Sequence, residues 1–276
     1  MNIGIVGLGL MGGSLGLALK KLPKKYTVIG YDHNLSHTED ALKLKLVDKI
    51  TNDFQKIETC DVIVLTIPVD SIIAISQQLL NIGKETTVID FGSSKEKISN
   101  GIPKEIRQNF VTAHPMTGTE KFGPSAAIQA LYDEKTMVIC DIEQSASFQK
   151  EVALDLFRDI HSKIVFMDAK EHDRHAAFIS HMPHTVAYAL AQSVMKQEDP
   201  KSILALAGGG FKDMSRIAKS SPNMWEDIFR QNKENLLESI DAFNIEMQLC
   251  TKLIKEEKWE ELHQWMTEAN KLHDII

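Results

Sequence analysis

Cysteine is scarce in this chain of 276 residues: Cys60, Cys140 and Cys250 are odd in number, widely separated and in no CxxC pair. That tells against a disulfide framework or a thiolate metal site and suits a reducing compartment. Long apolar stretches are missing too, and runs such as Val62 to Ile67 are far too short to cross a membrane. No positively charged leader with an apolar core opens the chain; a strand pattern begins at once, from Met1 to Val6. A cytoplasmic protein is the expectation. Nor is there a surplus of positive charge. With 31 basic against 38 acidic residues the formal net charge is −7, and no long basic run marks a nucleic-acid surface. An anionic ligand would need specific cations to hold it against that field. Low-complexity linkers and internal repeats are absent as well.

What is present is an ordinary globular balance, 43% hydrophobic and 25% charged, in a chain long enough for two cores. Up to about residue 168, strand-like and helix-like segments alternate. Asn2–Gly7, Thr27–Asp32, Asp61–Ile67, Thr87–Phe91, Asn109–Ala113, Thr136–Cys140 and Lys163–Met167 read as short β-branched strands. Segments with helical spacing, such as Val69–Leu80 and Glu143–Ile160, lie between most of them. This alternation implies a mainly parallel sheet with helices on both faces. Beyond Asp168 the strand signal disappears, and Lys170–Met195, Ser202–Ala207, Gly210–Lys219, Met224–Ile254 and Lys258–Leu272 read as helix. The expected fold is an α/β Rossmann-type parallel-sheet domain over 1–168 followed by an all-α domain over 169–276.

Gly7-Leu8-Gly9-Leu10-Met11-Gly12 matches G-x-G-x-x-G, follows a strand and opens a helix running from Met11 to Lys20. Asp32 ends the next strand 20 residues beyond Gly12, the spacing of the acid that binds an adenosine ribose. Gly7 permits the tight turn, Gly9 lets backbone approach a pyrophosphate, and Gly12 lets helix and strand pack closely, with the pyrophosphate on the helix N-terminus. A carboxylate at position 32 accepts from ribose hydroxyls and repels a 2′-phosphate. His33 and Asn34 follow it, with no Arg nearby to welcome NADP. The expected cofactor is NAD. Pro68 follows the strand Asp61–Ile67 and reads equally as cofactor wall or as a simple strand stop.

Ligands of open α/β sheets bind outside the carboxyl ends of the strands, so residues there are the first candidates for chemistry. His114 ends one strand, with Pro115 stopping further pairing. Its position favours a catalytic role over that of a hydrogen-bonded surface histidine. Ser93 precedes a helix with Glu96 three residues on, a capping-box spacing that accounts for the serine by itself; a hydroxyl at this edge could also orient a nicotinamide or a substrate hydroxyl. In the helical half, Ala177, His181, His184, Tyr188 and Ala191 share a face, with Pro183 a kink or break in the register. The two histidines read equally as a ligand site or as partnered core residues. His172 and His175 fall about half a turn out of phase with them, no carboxylate or thiolate completes a ligand set, and no metal is expected. The glycine run Gly208-Gly209-Gly210 opens a helix with Asp213 and Arg216 at i,i+3, either a surface ion pair or a guanidinium fork for a carboxylate.

Taken in order, Gly7–Gly16 (GLGLMGGSLG), Asp90–Lys95 (DFGSSK), Ala113–Gly123 (AHPMTGTEKFG), Ser180–His184 (SHMPH), Gly208–Ala218 (GGGFKDMSRIA) and Ser221–Trp225 (SPNMW) resemble the prephenate/arogenate dehydrogenases of tyrosine biosynthesis, almost end to end. The resemblance implies a Rossmann domain plus a helical dimerisation domain, hence a homodimer, and the composition adds no nucleic-acid or membrane partner to it. It implies NAD-dependent oxidative decarboxylation of prephenate to 4-hydroxyphenylpyruvate, or of arogenate, which differs at the side chain's keto group. By position, His114 resembles the catalytic histidine facing the substrate's ring hydroxyl and Ser93 its partner near the nicotinamide. Arg216 and His184 resemble substrate-binding residues, Arg216 being the main carboxylate anchor. Glu120 and Asp213 resemble residues that organise the pocket, His181 a weaker contributor, and Trp225 the lining of the far side. The regulatory ACT domain and fused chorismate mutase of some relatives are expected to be absent. Two other readings stay open at this point: a β-hydroxyacid dehydrogenase, against which the HP-x-x-GTE segment tells, and a non-catalytic NAD-binding regulator.

Overall fold

Short β-branched runs become strands, and the segments between them become helices, in the computed structural model, which describes residues 1–22 and 25–275. The order is β1 (Asn2–Val6), α1 (Leu10–Lys20), β2 (Thr27–Tyr31), α2 (Leu35–Lys43), β3 (Lys49–Ile50), α3 (Phe54–Glu58), β4 (Val62–Leu65), α4 (Val69–Ser76), β5 (Thr87–Asp90), α5 (Glu96–Gly101), β6 (Phe110–Pro115), β7 (Thr136–Cys140), α6 (Ser147–Asp159) and β8 (Lys163–Met167). The strands form one eight-stranded sheet in the order β3-β2-β1-β4-β5-β6-β7-β8, parallel except between β6 and β7. Along β4, Val62 and Val64 enter one apolar cluster while Ile63 and Leu65 enter another. Both faces of the sheet are therefore buried, as the run of apolar residues requires. This is the Rossmann-type arrangement, and it sets the carboxyl ends of β1, β4, β5 and β6 side by side.

Only helices follow: α7 (Ala169–Ala176), α8 (Met182–Met195), α9 (Pro200–Ala205), α10 (Gly209–Arg216), α11 (Pro222–Gln231), α12 (Lys233–Lys255) and α13 (Trp259–Asn270). Contacts divide the chain into two compact units, Met1–Asn232 and Lys233–Ile276, so residue 168 falls inside the first. Helix α7 is tied to the sheet's edge there: the Asp173 carboxylate accepts from the backbone N–H groups of Lys95 (2.7 Å) and Glu96 (3.0 Å). The second unit consists of α12 and α13, and no side chain of α13 is buried. Among the described residues, no helix is long and apolar enough to cross a membrane.

Several elements depart from the sequence reading, each for a local reason. Helices α2 and α3 are short and capped by Asn34 and Asp53, whose side chains accept from Ser36 and Gln55. Pro68 does not stop β4, which ends at Leu65; it is exposed and starts α4. Pro115 does not end pairing either. The β5 ladder stops at Thr112, but β7 pairs on through His114 and Pro115, and the Met116 N–H donates to the Thr136 carbonyl. The span Met224–Ile254 is two helices, because Asn232 leaves helical geometry at φ −114°, ψ 35°. The helix over Lys170–Met195 is continuous, but residues Ala177–His181 form a π turn directly before Pro183. That wider turn absorbs one extra residue ahead of the proline.

The first turn of the sheet depends on absent side chains. Gly7 sits at φ +94°, where a Cβ would come within 2.6 Å of the Thr66 carbonyl oxygen. At Gly12 a Cβ would lie 1.9 Å from the Gly7 carbonyl oxygen and 2.5 Å from Thr66 Oγ1. Gly12→Ala must push α1 off β1 and is expected to cost at least about 2 kcal/mol, read as a lower denaturant midpoint. Gly83→Ala, whose nearest neighbour would be Thr86 Oγ1 at 3.4 Å, should stay within about 1 kcal/mol of the parent. Equal midpoints for the two variants would refute this account of Gly12.

Candidate active site

The glycine turn leaves a cradle above β1. A Cβ on Gly9 would meet nothing within 4 Å. Gly9 caps α1 without a side-chain hydrogen bond, and the first turn of α1 carries no acidic residue, so its N–H groups and positive end are left to a ligand. At the end of β2, Asp32 is buried and its carboxylate accepts from the backbone N–H of Leu8 at 2.8 Å and of Asn34 at 2.9 Å. The carboxylate thus ties the end of β2 to the glycine turn. His33 and His37 stand 3.5 Å and 3.2 Å from its oxygens. An open anion cradle beside a carboxylate at this strand end fits NAD.

Beyond it stands His114, near the end of β6. Its Nδ1 lies 2.8 Å from Nε2 of His172 on α7, and Nδ1 of His172 lies 2.8 Å from the Asp173 carboxylate. A carboxylate accepts, so His172 carries its proton on Nδ1 and offers Nε2 as an acceptor. His114 must then donate from Nδ1, which leaves the lone pair on its Nε2. Burial holds the His114 imidazole well below its usual range, and charge on His172, Lys95 and His181 pushes the same way. The arrangement is a neutral imidazole of fixed tautomer, able to take a proton.

His172 and Asp173 were not singled out as site residues in the sequence. The phase argument that turned His172 away from His181 fails because the π turn rotates the helix between them, and both are buried. Ser93 is not a capping residue: α5 begins at Glu96 and its first N–H groups go to Asp173. Ser93 follows β5 beside β6, at the same edge as His114. The signal for Asp173 lay in its neighbour, an acid directly after a histidine in a helix whose opening acidic cap, Asp168, already served the Glu171 N–H.

The helical wall lies opposite in sequence but within the same unit. His181 is buried, its Nδ1 lies 3.2 Å from Asn232 Nδ2, and desolvation pushes its imidazole down to about 4 although Asp173 pulls it up. The Nδ1–H of His184 donates to the Ser180 carbonyl at 2.9 Å, and its ring stacks on Trp225 with centroids 3.5 Å apart. Burial lowers the His184 imidazole and the Arg216 cation adds to that. The Trp225 indole is buried and its N–H has no acceptor among the described residues. Arg216 ends α10 and reaches Glu120, 3.3 Å away in the loop after β6. Asp213 is exposed on the same helix and is not the partner of Arg216. Half-exposed and held on one side only, the guanidinium has donors left for an anion. Among the described residues no cluster of His, Cys, Asp or Glu could hold a metal.

Fold and site together define a nucleotide-binding dehydrogenase with a histidine at the sheet's carboxyl edge and a half-exposed arginine on the helical side. Family models described as the prephenate dehydrogenase nucleotide-binding domain and the prephenate dehydrogenase dimerization domain match residues 15–166 and 168–268. Prephenate dehydrogenase of Bacillus subtilis (strain 168) is 30% identical over 98% of this chain and 74% of its own length. The crystal structure of prephenate dehydrogenase from Aquifex aeolicus in complex with hydroxyphenyl propionate and NAD+ is 32% identical, with TM-score 0.92 over 100% of this chain and 98% of that one. Synechocystis arogenate dehydrogenase is 28% identical, with TM-score 0.82 over 99% of both chains. The chain belongs to the prephenate dehydrogenase family.

The depressed imidazoles link stability to pH. His114, His181 and His184 are held neutral when folded, whereas in the unfolded chain each takes a proton near pH 6.5. Their contribution is therefore complete above about pH 6.5 and is lost as pH falls. For His181 the loss runs down to about pH 4, at up to about 1.4 kcal/mol per pH unit. His181→Gln removes the titration while keeping an acceptor for Asn232, so its urea midpoint should fall less steeply between pH 6.5 and pH 4.5 than the parent's, by about 1 kcal/mol per pH unit. Identical slopes would contradict the burial of a neutral His181.

Proposed function

We propose that the chain oxidises prephenate with NAD+, releasing CO2 and 4-hydroxyphenylpyruvate, and that arogenate is the poorer substrate. The observation that carries the reading is the His114 tautomer, fixed through His172 by Asp173, with its Nε2 lone pair at the sheet's carboxyl edge. The names of relatives at 30% and 32% identity support prephenate over arogenate.

In this reading Gly7, Gly9 and Gly12 seat the pyrophosphate, Asp32 takes the ribose hydroxyls, and Pro68 at the start of α4 borders the nicotinamide end. Bound NAD+ supplies the hydride acceptor. His114 Nε2 accepts the proton of the ring hydroxyl as the carbon beneath it loses hydride. The charge this creates is shared through the His172 hydrogen bond with Asp173. Ser93 sits beside that hydroxyl. Arg216 takes a substrate carboxylate, aided by Glu120, which orients its guanidinium, and by Asp213 on the same helix. His184, His181 and Trp225 form the far wall, where the free indole N–H is a second donor for the dianion. Loss of CO2 aromatises the ring and makes the step irreversible.

His114→Asn should lower kcat by about 10²- to 10⁴-fold with little change in KM. Arg216→Ala should raise KM by about ten- to a hundredfold with a smaller effect on kcat. Initial rates of NADH formation on both substrates test the rest. Faster turnover of arogenate would remove the prephenate assignment, and near-normal turnover by His114→Asn would remove the mechanism.

We infer further that the protein works as a homodimer. Helix α12 buries only Leu236, Ser239 and Leu253, while Leu237, Ile245, Met247, Trp259 and Met266 are exposed in the second unit. That is more apolar surface than two helices usually leave in water. Sedimentation at micromolar concentration should give twice the chain mass; a monomer would rule the dimer out.

A further inference from the structure

Lys95 is the only fully buried lysine among the described residues, and the chemistry just described does not use it. It follows Ser93 and Ser94 at the carboxyl edge, one residue before α5. Its ammonium donates to the Asp90 carboxylate at the end of β5 and, at 2.7 Å, to the carbonyl of Ala113, the residue before His114. Its backbone N–H donates to Asp173 at 2.7 Å. Asp90 also accepts from the Gly92 N–H at 2.9 Å, and its second oxygen is buried with no partner among the described residues. Burial pushes the Asp90 carboxyl up, and Lys95 pulls it back.

A buried pair of this kind is a poor source of stability, because removing two charges from water consumes most of their attraction; two apolar side chains of similar volume would serve as well or better. Its contacts suggest another role. One residue touches the end of β5, the peptide that carries His114, and the carboxylate that orients His172.

We propose that Lys95 is a positioning residue for His114: fixed on the Ala113 carbonyl and the Asp90 carboxylate, its ammonium holds the strand end that bears the imidazole and sets a cation beside it. A cation there opposes a second proton on the ring. The groups facing His114 are His172 with Asp173 behind it on α7, His181 in the π turn, and Lys95 with Asp90 at the end of β5. Of these, Lys95 is the one whose ammonium also holds the strand end, through the Ala113 carbonyl. Burial does most of the lowering, the neighbouring histidines contribute, and Lys95 works in the same direction. The consequence is a base that stays unprotonated in mildly acidic solution until a dianionic substrate arrives. This rests on His114 being the proton acceptor.

The test follows the His114 ring by NMR through a pH titration of the whole protein, with the resonance assigned by its loss in His114→Asn. Lys95→Met removes the cation, and Lys95→Met/Asp90→Leu removes the pair without leaving a buried carboxylate. Cooperative thermal unfolding and NAD+ binding identify the folded variants. In Lys95→Met the ring should titrate about one pH unit higher than in the parent, and the acid limb of kcat/KM should move with it; in the double variant, which also loses the opposing carboxylate, the rise should be smaller. Turnover at the pH optimum should fall about tenfold or more as the strand end loosens. A folded Lys95→Met variant whose His114 titrates where the parent's does, or a folded double variant with full turnover, would overturn the proposal. Full turnover by His114→Asn would instead overturn the reading of His114 as the base, while the titration would still decide whether Lys95 governs the ring.

Discussion

The Asp173 carboxylate is the point on which the site hangs. It is buried and accepts from two backbone N–H groups ahead of α5 and from His172 Nδ1. Those contacts join α7 to the edge of the sheet, cap the start of α5 and set the protons of two imidazoles in series. A buried carboxylate without donors would be expensive, and each of the donors it has found belongs to an element the site needs. The Asn232 side chain adds to the same knot by donating to the Asp173 carbonyl, which draws the end of α11 against α7. The helix carrying Trp225 is thereby registered against the helix carrying His181 and His184.

Charge is distributed unevenly around this knot. The chain as a whole is acidic, with formal net charge −7. The edge nevertheless presents the N-terminus of α1, the half-exposed Arg216 and, beneath the surface, Lys95. The acidic groups nearest to them are engaged: Glu120 by Arg216, Asp32 by backbone N–H groups, Asp90 by Lys95. Apart from Asp213, which stays exposed on the helix of Arg216, the acids at this edge are taken up, and an anion would meet local donors in spite of the unfavourable overall field.

Much of this was legible in the residues. The strands showed as β-branched runs, and the glycine turn showed because Gly7, Gly9 and Gly12 follow a strand, open a helix and precede Asp32 at the end of the next strand. His114 was found from its place at a strand end. What stayed hidden arises from contacts distant in sequence. Glu120 and Arg216 meet across 96 residues, and no helical spacing predicts that Arg216 prefers that carboxylate to Asp213 on its own helix. Ser93 and Glu96 had the spacing of a cap, but a carboxylate from another helix took the N–H groups first. Short elements such as β3, α3 and α5 hold too few residues for a period to emerge.

The π turn at Ala177–His181 has a meaning for how this helix can change. Ahead of it lie His172 and Asp173; after it come His184 and Tyr188. Each side of the turn is in α register, and the single surplus residue brings the two registers onto a common face. Point substitutions within the turn alter one side chain at a time. Removing any one residue there would restore an unbroken α-helix, and because five residues of the wide turn sweep about the same angle as four of an α-helix, everything beyond it would keep its face, with His184 still over Trp225. The turn is therefore a local slack in the helix, a place where chain length can change by one while the helical wall stays where it is.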